Sequence, residues 1–192
     1  MNEIKTVVIF AGGKSSRMNQ DKSLLPFDGF SSLAEFQYYR LSKIFENVYI
    51  SCKKNKFDFN VDLIFDIDEE SSPLVGLISI FERTDINEVF VISVDSPFVD
   101  KEIIQKLKSN NRDEFDIVVA SLCKKTQPLC AIYKRSILKK AKAFLSKDIH
   151  KLNRLIDELN SKFVEFDDSE KFANLNYYND YIEACHKSTF NL

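Results

Sequence analysis

Apolar residues fall in short blocks along this chain, and the blocks alternate between strand-like and helix-like spacing. Residues 5–10 (KTVVIF) form a β-branched run that stops at Ala11-Gly12-Gly13, the pattern of a buried strand feeding a loop. Ser32 with Glu35 three residues later has the form of a capping box and opens a helix to about residue 45. Residues 48–52 (VYISC) and 61–66 (VDLIFD) are the expected second and third strands. Ser72-Pro73 reads as an N-cap followed by proline at the first helical position, with Leu74, Leu77, Ile78 and Phe81 at helical spacing behind it.

Residues 88–94 (EVFVISV) are almost continuously apolar, as a central strand covered on both faces should be. Asp100 begins a helix carrying Ile103, Ile104 and Leu107. Residues 116–122 and 129–134 read as strands, followed by helices marked by Ile137, Leu138, Ala141, Phe144 and Leu145 and by Leu152, Leu155, Ile156 and Leu159. A late strand at 162–166 and a closing helix at 178–186 complete the order. Such alternation predicts an α/β fold: a largely parallel sheet layered between helices. The C-terminal third breaks the alternation, which predicts one or two antiparallel strands there. In sheets of this kind ligands bind at the carboxyl ends of the strands, near the switch point. That directs attention to the loops after Phe10, Asp66 and Val94.

Length and charge narrow the function classes. The 192 residues show no internal repeat, low-complexity tract or linker, so one domain, 1–192, is expected. The net charge of −2 offers no basic excess for nucleic acid, and no apolar run approaches the roughly 20 residues of a membrane span. Neither nucleic acid nor membrane is an expected partner. Met1 to Lys5 has no charged region leading into an apolar stretch, which makes the cytoplasm the expected compartment. Cys52, Cys123, Cys130 and Cys185 are scattered, with only His150 and His186 beside them. No Cys/His zinc spacing results, and small buried hydrophobes are expected.

The chain has only four glycines and four prolines, and nearly all stand where a strand hands over to a loop or helix. After the first strand comes AGGKSSRMNQDKSLLPF, residues 11–27. Two glycines there let the backbone turn sharply and present amide N–H groups to an anion, while Arg17 and Lys22 add a planar fork and a point charge. Together they suit a polyphosphate. The dinucleotide fingerprint is absent, because Ser16 and Arg17 stand where further glycines are needed. A P-loop is absent too, because Asp21 precedes Lys22-Ser23. A plain polar loop with two basic side chains is the alternative.

Read as A-G-G-x-S-x-R-M-x-x-D-K-x-L-L-x-F, this segment resembles the signature of MobA-type nucleotidyltransferases, the molybdenum cofactor guanylyltransferases. The resemblance continues in order along the chain. Pro73-Leu74-Val75-Gly76 is similar to the family's G-P-L-A-G, and Val94-Asp95-Ser96-Pro97-Phe98 to its C-D-M-P-F. Gln127-Pro128-Leu129 corresponds to H-P-L, and Phe172-Ala173-Asn174-Leu175-Asn176 with Asp180 to F-x-N-x-N-T-x-x-D. The resemblance implies a three-layer α/β/α Rossmann-like nucleotidyltransferase fold, with residues 1–100 as the nucleotide-binding half and 101–192 as the acceptor-binding half. It also implies the reaction: GMP passes from GTP to the phosphate of molybdopterin with Mg²⁺ as cofactor, and pyrophosphate leaves. GTP and molybdopterin are then the partners, with molybdoenzyme maturation proteins as further ones.

Carried onto this chain, the family's roles make Asp95 the metal ligand. Lys22 neutralises phosphate charge and Arg17 grips the outer phosphates; these two and Asp95 form the catalytic set. Phe10, Ala11, Gly12 and Gly13 cradle the nucleotide, with Pro73, Leu74 and Gly76 beside it. Asp66, flanked by Asp62 and Asp68, lies near the base, where a carboxylate can accept from guanine N1–H and N2–H₂. Gln127, Pro128, Asn174 and Asn176 face the acceptor. Plainer alternatives are a cap for Asp95, a solvated charge for Lys22, loop orientation through a carboxylate for Arg17, a plain strand end for Asp66 and turn formation for Asn174 and Asn176. The chain departs from the pattern at Asn19, where glycine is usual, at Lys53, where asparagine is frequent, and at Gln127 and Tyr177, which replace histidine and threonine. Other readings are a cytidylyltransferase or sugar-phosphate nucleotidylyltransferase of the same fold, and a non-catalytic nucleotide-binding homologue.

Overall fold

A computed structural model describes residues 4–12, 20–68 and 72–187. Its centre is a seven-stranded sheet built from β1 (Thr6–Phe10), β2 (Asn47–Cys52), β3 (Asp62–Phe65), β4 (Glu88–Ser93), β5 (Ile117–Leu122), β6 (Lys125–Lys134) and β7 (Ser161–Phe166), in spatial order β3-β2-β1-β4-β6-β5-β7. The pairs β1–β2, β2–β3, β1–β4 and β5–β7 are parallel, whereas β6 runs antiparallel to both β4 and β5. The expected mixed sheet is therefore present, with β6 as its reversed strand.

Period-two alternation on the central strands sorts their side chains into two cores. Val7 and Ile9 of β1 and Phe90 and Ile92 of β4 join the core that holds α1 (Leu33–Ser42), α3 (Lys101–Asn110) and α6 (Tyr178–Lys187). Val8, Phe10, Val89 and Val91 face the opposite core, with α2 (Pro73–Arg83), α4 (Leu138–Leu145) and α5 (Leu152–Asp157). All five side chains of β1 are buried, which is why that strand reads as a continuous apolar run.

Local signals act largely as the sequence suggests. Ser72 caps α2 by accepting from Val75 N at 3.2 Å, and Asp100 caps α3 by accepting from Ile103 N at 3.0 Å. Ser32 accepts from Glu35 N at 3.1 Å, but Glu35 reaches back to Ser31 N at 2.9 Å rather than to Ser32. Helix α1 stops at Ser42, short of the expected residue 45, as Ile44 N and Phe45 N both turn back onto Leu41 O.

The largest departure is β6, which begins at Lys125 rather than at residue 129. Cys123 and Lys124, both at positive φ, make a two-residue hairpin turn with no glycine or asparagine to announce it. The ladder between β5 and β6 is interrupted where Val119 faces Ala131 and Ala120 faces Gln127. Pro128 cannot donate to the ladder, and its carbonyl instead accepts from the buried Tyr133 Oη at 2.9 Å. Two cysteines also depart from expectation: Cys52 and Cys130 are buried, but Cys123 is exposed on this hairpin and Cys185 is only partly buried.

Candidate active site

The strand order reverses between β1 and β4: β2 lies on one side of β1 and β4 on the other. A crevice opens there at the carboxyl ends of both strands, as the topology requires. Two cavities meet on this side, sharing Pro73 and Leu129.

The smaller, about 170 Å³, is lined by Phe10, Gly12, Ser51, Asp66, Ser72 and Gly76. Phe10 ends β1 with its ring against Gly76, at a position where α2 has room for no side chain: an added Cβ would sit 3.2 Å from ring atoms Cδ1 and Cζ and closer still to Cε1. Asp66 follows β3, its N–H donating to Cys52 O at 3.1 Å and its carboxylate accepting from Ser51 Oγ at 3.2 Å. Burial pushes the Asp66 carboxyl above its ordinary range, against the opposing pull of Ser51, Lys53 and Arg83. A partly desolvated carboxylate with open lone pairs is a strong acceptor for a donor edge.

The larger cavity, about 480 Å³, holds Asp95, Ser96, Gln127, Pro128 and Asn174 on its walls. Its lining at β6 sits at the bulge, which leaves Pro128 and Leu129 without a β5 partner beside the paired Gln127, and all three line the cavity. Asp95 is 8% exposed. One carboxylate oxygen accepts from Ser93 Oγ and the other pairs with Lys22 Nζ. Lys22, on a single 3-10 turn at Lys22–Leu24, also reaches Leu175 O at 3.4 Å, while Leu175 N donates to Asp95 O at 2.9 Å. Ser96 Oγ donates to Asn174 Oδ1 at 2.6 Å. Segments near residues 22, 95 and 175 are thus knitted into one unit.

Asp21 anchors this turn. It accepts from Ser23 N at 3.1 Å and Ser23 Oγ at 2.6 Å, and Lys56 Nζ bridges it, at 2.5 Å, to Ala11 O at 3.0 Å. Burial alone would raise the Asp21 carboxyl, but Lys56 and Ser23 outweigh it and hold the group below its ordinary range.

Of the residues singled out from sequence, Phe10, Gly12, Asp66, Pro73 and Gly76 meet at the smaller cavity; Asp95, Gln127, Pro128 and Asn174 meet at the larger, and Lys22 reaches it through Asp95. Ala11 is buried at the β1 terminus, its N–H donating to Ser51 O at 3.1 Å. Leu74 is fully buried in the α2 core and lines neither cavity. Asn176 is exposed outside both, its N–H held by Asp180 Oδ2 at 3.0 Å in the turn before α6. Gly13, Arg17 and Asn19 lie outside the described residues. Sequence motifs assign no role to His150, Lys151 and Asn153, which line the larger cavity. His150 sits between Ser72 Oγ at 3.0 Å and Asp148 Oδ1 at 3.1 Å. Their only sequence signal is a polar cluster around the start of α5, too common a pattern to point to a site.

A single buried carboxylate on the wall of the larger cavity, Asp95, suits a hard divalent cation that takes its remaining ligands from phosphate and water. Among the described residues no group of three or more His, Cys, Asp or Glu forms an all-protein cage. No helix among them is long and apolar enough to cross a membrane.

The model of the MobA-like NTP transferase domain matches residues 7–163. A protein of Campylobacter jejuni named molybdenum cofactor guanylyltransferase is 40% identical over 183 residues, covering 94% of this chain and 95% of that one. A Helicobacter pylori protein of the same name is 34% identical over 180 residues, covering 91% and 88%. Among solved structures, molybdopterin-guanine dinucleotide biosynthesis protein A of Archaeoglobus fulgidus superposes with a TM-score of 0.81 at 20% identity, covering 94% and 97%; that likeness speaks to the fold.

Proposed function

The chain belongs to the family of MobA-like NTP transferases, and from that premise we propose that it transfers GMP from GTP to the phosphate of molybdopterin, releasing pyrophosphate. The observation that carries the reading is the Lys22–Asp95 pair at the β1/β4 switch point, with Asp95 on the wall of the larger cavity and the smaller cavity adjoining it through Pro73 and Leu129. Within one domain, the first hundred residues serve the nucleotide and the remainder, with the β6 bulge, serves the acceptor. GTP lies with its base toward Asp66, whose carboxylate accepts from N1–H and N2–H₂, and its ribose near Gly12 and the Phe10–Gly76 wall.

The acceptor's phosphate oxygen attacks the α-phosphorus. A new P–O bond forms as the bond to the bridging oxygen breaks, and the electron pair leaves on pyrophosphate. Such a step asks the protein for alignment and charge neutralisation rather than covalent chemistry. Lys22 leaves Asp95 for the phosphate oxygens and stabilises the charge that develops there. Asp95 would hold Mg²⁺, which supplies further charge neutralisation across the phosphates when bound. Gln127 and Asn174 present neutral amides to the acceptor, with Lys151 as a cation for its phosphate.

Calorimetric titration with GTP, CTP, ATP and UTP, each with and without Mg²⁺, tests the reading. Selective, Mg²⁺-assisted binding of GTP is expected, followed by formation of the guanine dinucleotide when molybdopterin is added. Preference for CTP would keep the chemistry and overturn the product. Failure to bind any nucleotide would favour a non-catalytic homologue.

A further inference from the structure

Two side chains of α1, a helix that lines neither cavity, reach beneath the segment that carries Asp95. Gln37, fully buried, donates from Nε2 to Val94 O at 3.0 Å and Ser93 O at 3.3 Å. Three residues on and on the same helix face, Arg40 donates from Nη1 to Val99 O at 2.7 Å and from Nη2 to Ser96 O at 3.4 Å. Its Nε donates to Gln37 Oε1 at 2.6 Å, which links the two into one rigid donor array. The carbonyls of Ser93, Val94, Ser96 and Val99 are therefore gripped from one helix, on both sides of Asp95. Burial lowers the Arg40 pKa to about 10, with Cys130 and Asp100 opposing the fall, so the guanidinium stays charged at neutral pH.

Charge-assisted bonds to carbonyls are stronger and more directional than neutral ones. A planar guanidinium locked by a buried amide fixes where the intervening peptides lie. We infer that Gln37 and Arg40 are positioning residues for the transfer: by holding the 93–99 segment from below they set the Asp95 carboxylate opposite Lys22. A role confined to packing α1 on the sheet would stabilise the fold without separating turnover from nucleotide binding. A positioning role separates them, because the small cavity is walled by Phe10, Gly12, Ser51, Asp66 and Gly76, to none of which the pair donates a hydrogen bond.

The inference rests on the guanylyl-transfer reading, so its test has an arm that does not depend on it. Gln37→Glu keeps an acceptor for Arg40 Nε but turns a carboxylate oxygen onto the Ser93 and Val94 carbonyls. Arg40→Met removes the donors to Ser96 and Val99. In both variants kcat is expected to fall about 10- to 100-fold, the scale set by sub-ångström to 1 Å misplacement, with KM for GTP within about twofold of wild type. Arg40→Lys, which keeps one donor for Val99 O, recovers part of the loss and serves as the test should Arg40→Met fail to fold. Amide hydrogen exchange on the ligand-free proteins should quicken over residues 93–99 and stay as in wild type over β1 and β2.

Wild-type exchange over 93–99 in the folded variants would overturn the inference. So would quickened exchange with kcat unchanged, or a rise in KM with kcat preserved. A wild-type protein inactive with GTP counts instead against guanylyl transfer, whatever the exchange data show.

Discussion

Gly76→Ala tests whether the small cavity receives the nucleoside, because the substitution moves a wall of that cavity from behind. The new methyl would lie 3.2 Å from Cδ1 and Cζ of Phe10 and closer to Cε1, against an ordinary carbon–carbon separation of about 3.5–4.0 Å. The ring must therefore shift by about 1 Å. The Phe10 backbone cannot follow, since its carbonyl accepts from Val94 N at 3.0 Å within the central ladder. Phe10 shares a filled core with Leu74, Leu77 and Ile78 and also lines the 170 Å³ cavity, so the ring is expected to yield into that cavity. Overpacking costs about 1–3 kcal/mol, and alanine in place of glycine in a helix returns about 1 kcal/mol. The fold thus loses about 0–2 kcal/mol, a fall in Tm of at most about 8 °C for a chain of this length. Binding loses more: a ring intruding on the nucleoside should weaken GTP by at least about tenfold, or about 1.4 kcal/mol. Thermal unfolding and calorimetric GTP titration measure the two effects separately. Adding Phe10→Leu, which deletes the clashing ring atoms, should restore part of the affinity. An intact Gly76→Ala protein that binds GTP as wild type does would refute the placement of the nucleoside.

The same geometry predicts three further outcomes. Lys22→Ala should lower transfer by about 10²–10³-fold with cooperative unfolding retained, and Mg²⁺ should raise its Tm more than that of wild type, because the Asp95 carboxylate has lost its lysine partner; unchanged turnover would remove Lys22 from the mechanism. Asp95→Asn should abolish metal-dependent transfer, as chelation does in wild type, and full activity at low Mg²⁺ would sink the ligand assignment. Asp66→Asn should bind GTP more weakly yet unfold at the same or a higher temperature at pH 7. The raised pKa means that Asp66 stabilises the fold most below its ordinary value of 3.8 and loses that contribution as pH rises through the folded value. The asparagine, which never ionises, escapes this loss, and melts between pH 3.5 and 7 that show a deficit growing with pH would contradict the assignment.

Much of this protein was legible in one dimension because its signals are local. The β-branched run of β1, the Ser72-Pro73 start of α2 and the Asp100 cap of α3 depend on neighbours a few residues away, and all appear where the spacing predicts them. The motif residues Asp95 and Lys22 could be named from their strand-end and loop positions, and the α/β class from the alternation of periods. What the chain could not show unaided are juxtapositions made by folding. The pairing of Lys22 with Asp95, 73 residues apart, arises because the topology brings the β1 and β4 ends together. The large cavity owes its β6 wall to a bulge that exists only where β6 pairs with β5, and to a glycine-free hairpin whose positive-φ residues carry no propensity signal. Gln37 and Arg40 look like ordinary polar positions on an amphipathic helix. Only the packing of α1 against the sheet turns them inward, where the carbonyls of Ser93, Val94, Ser96 and Val99, at the end of β4 and in the loop beyond it, accept from them.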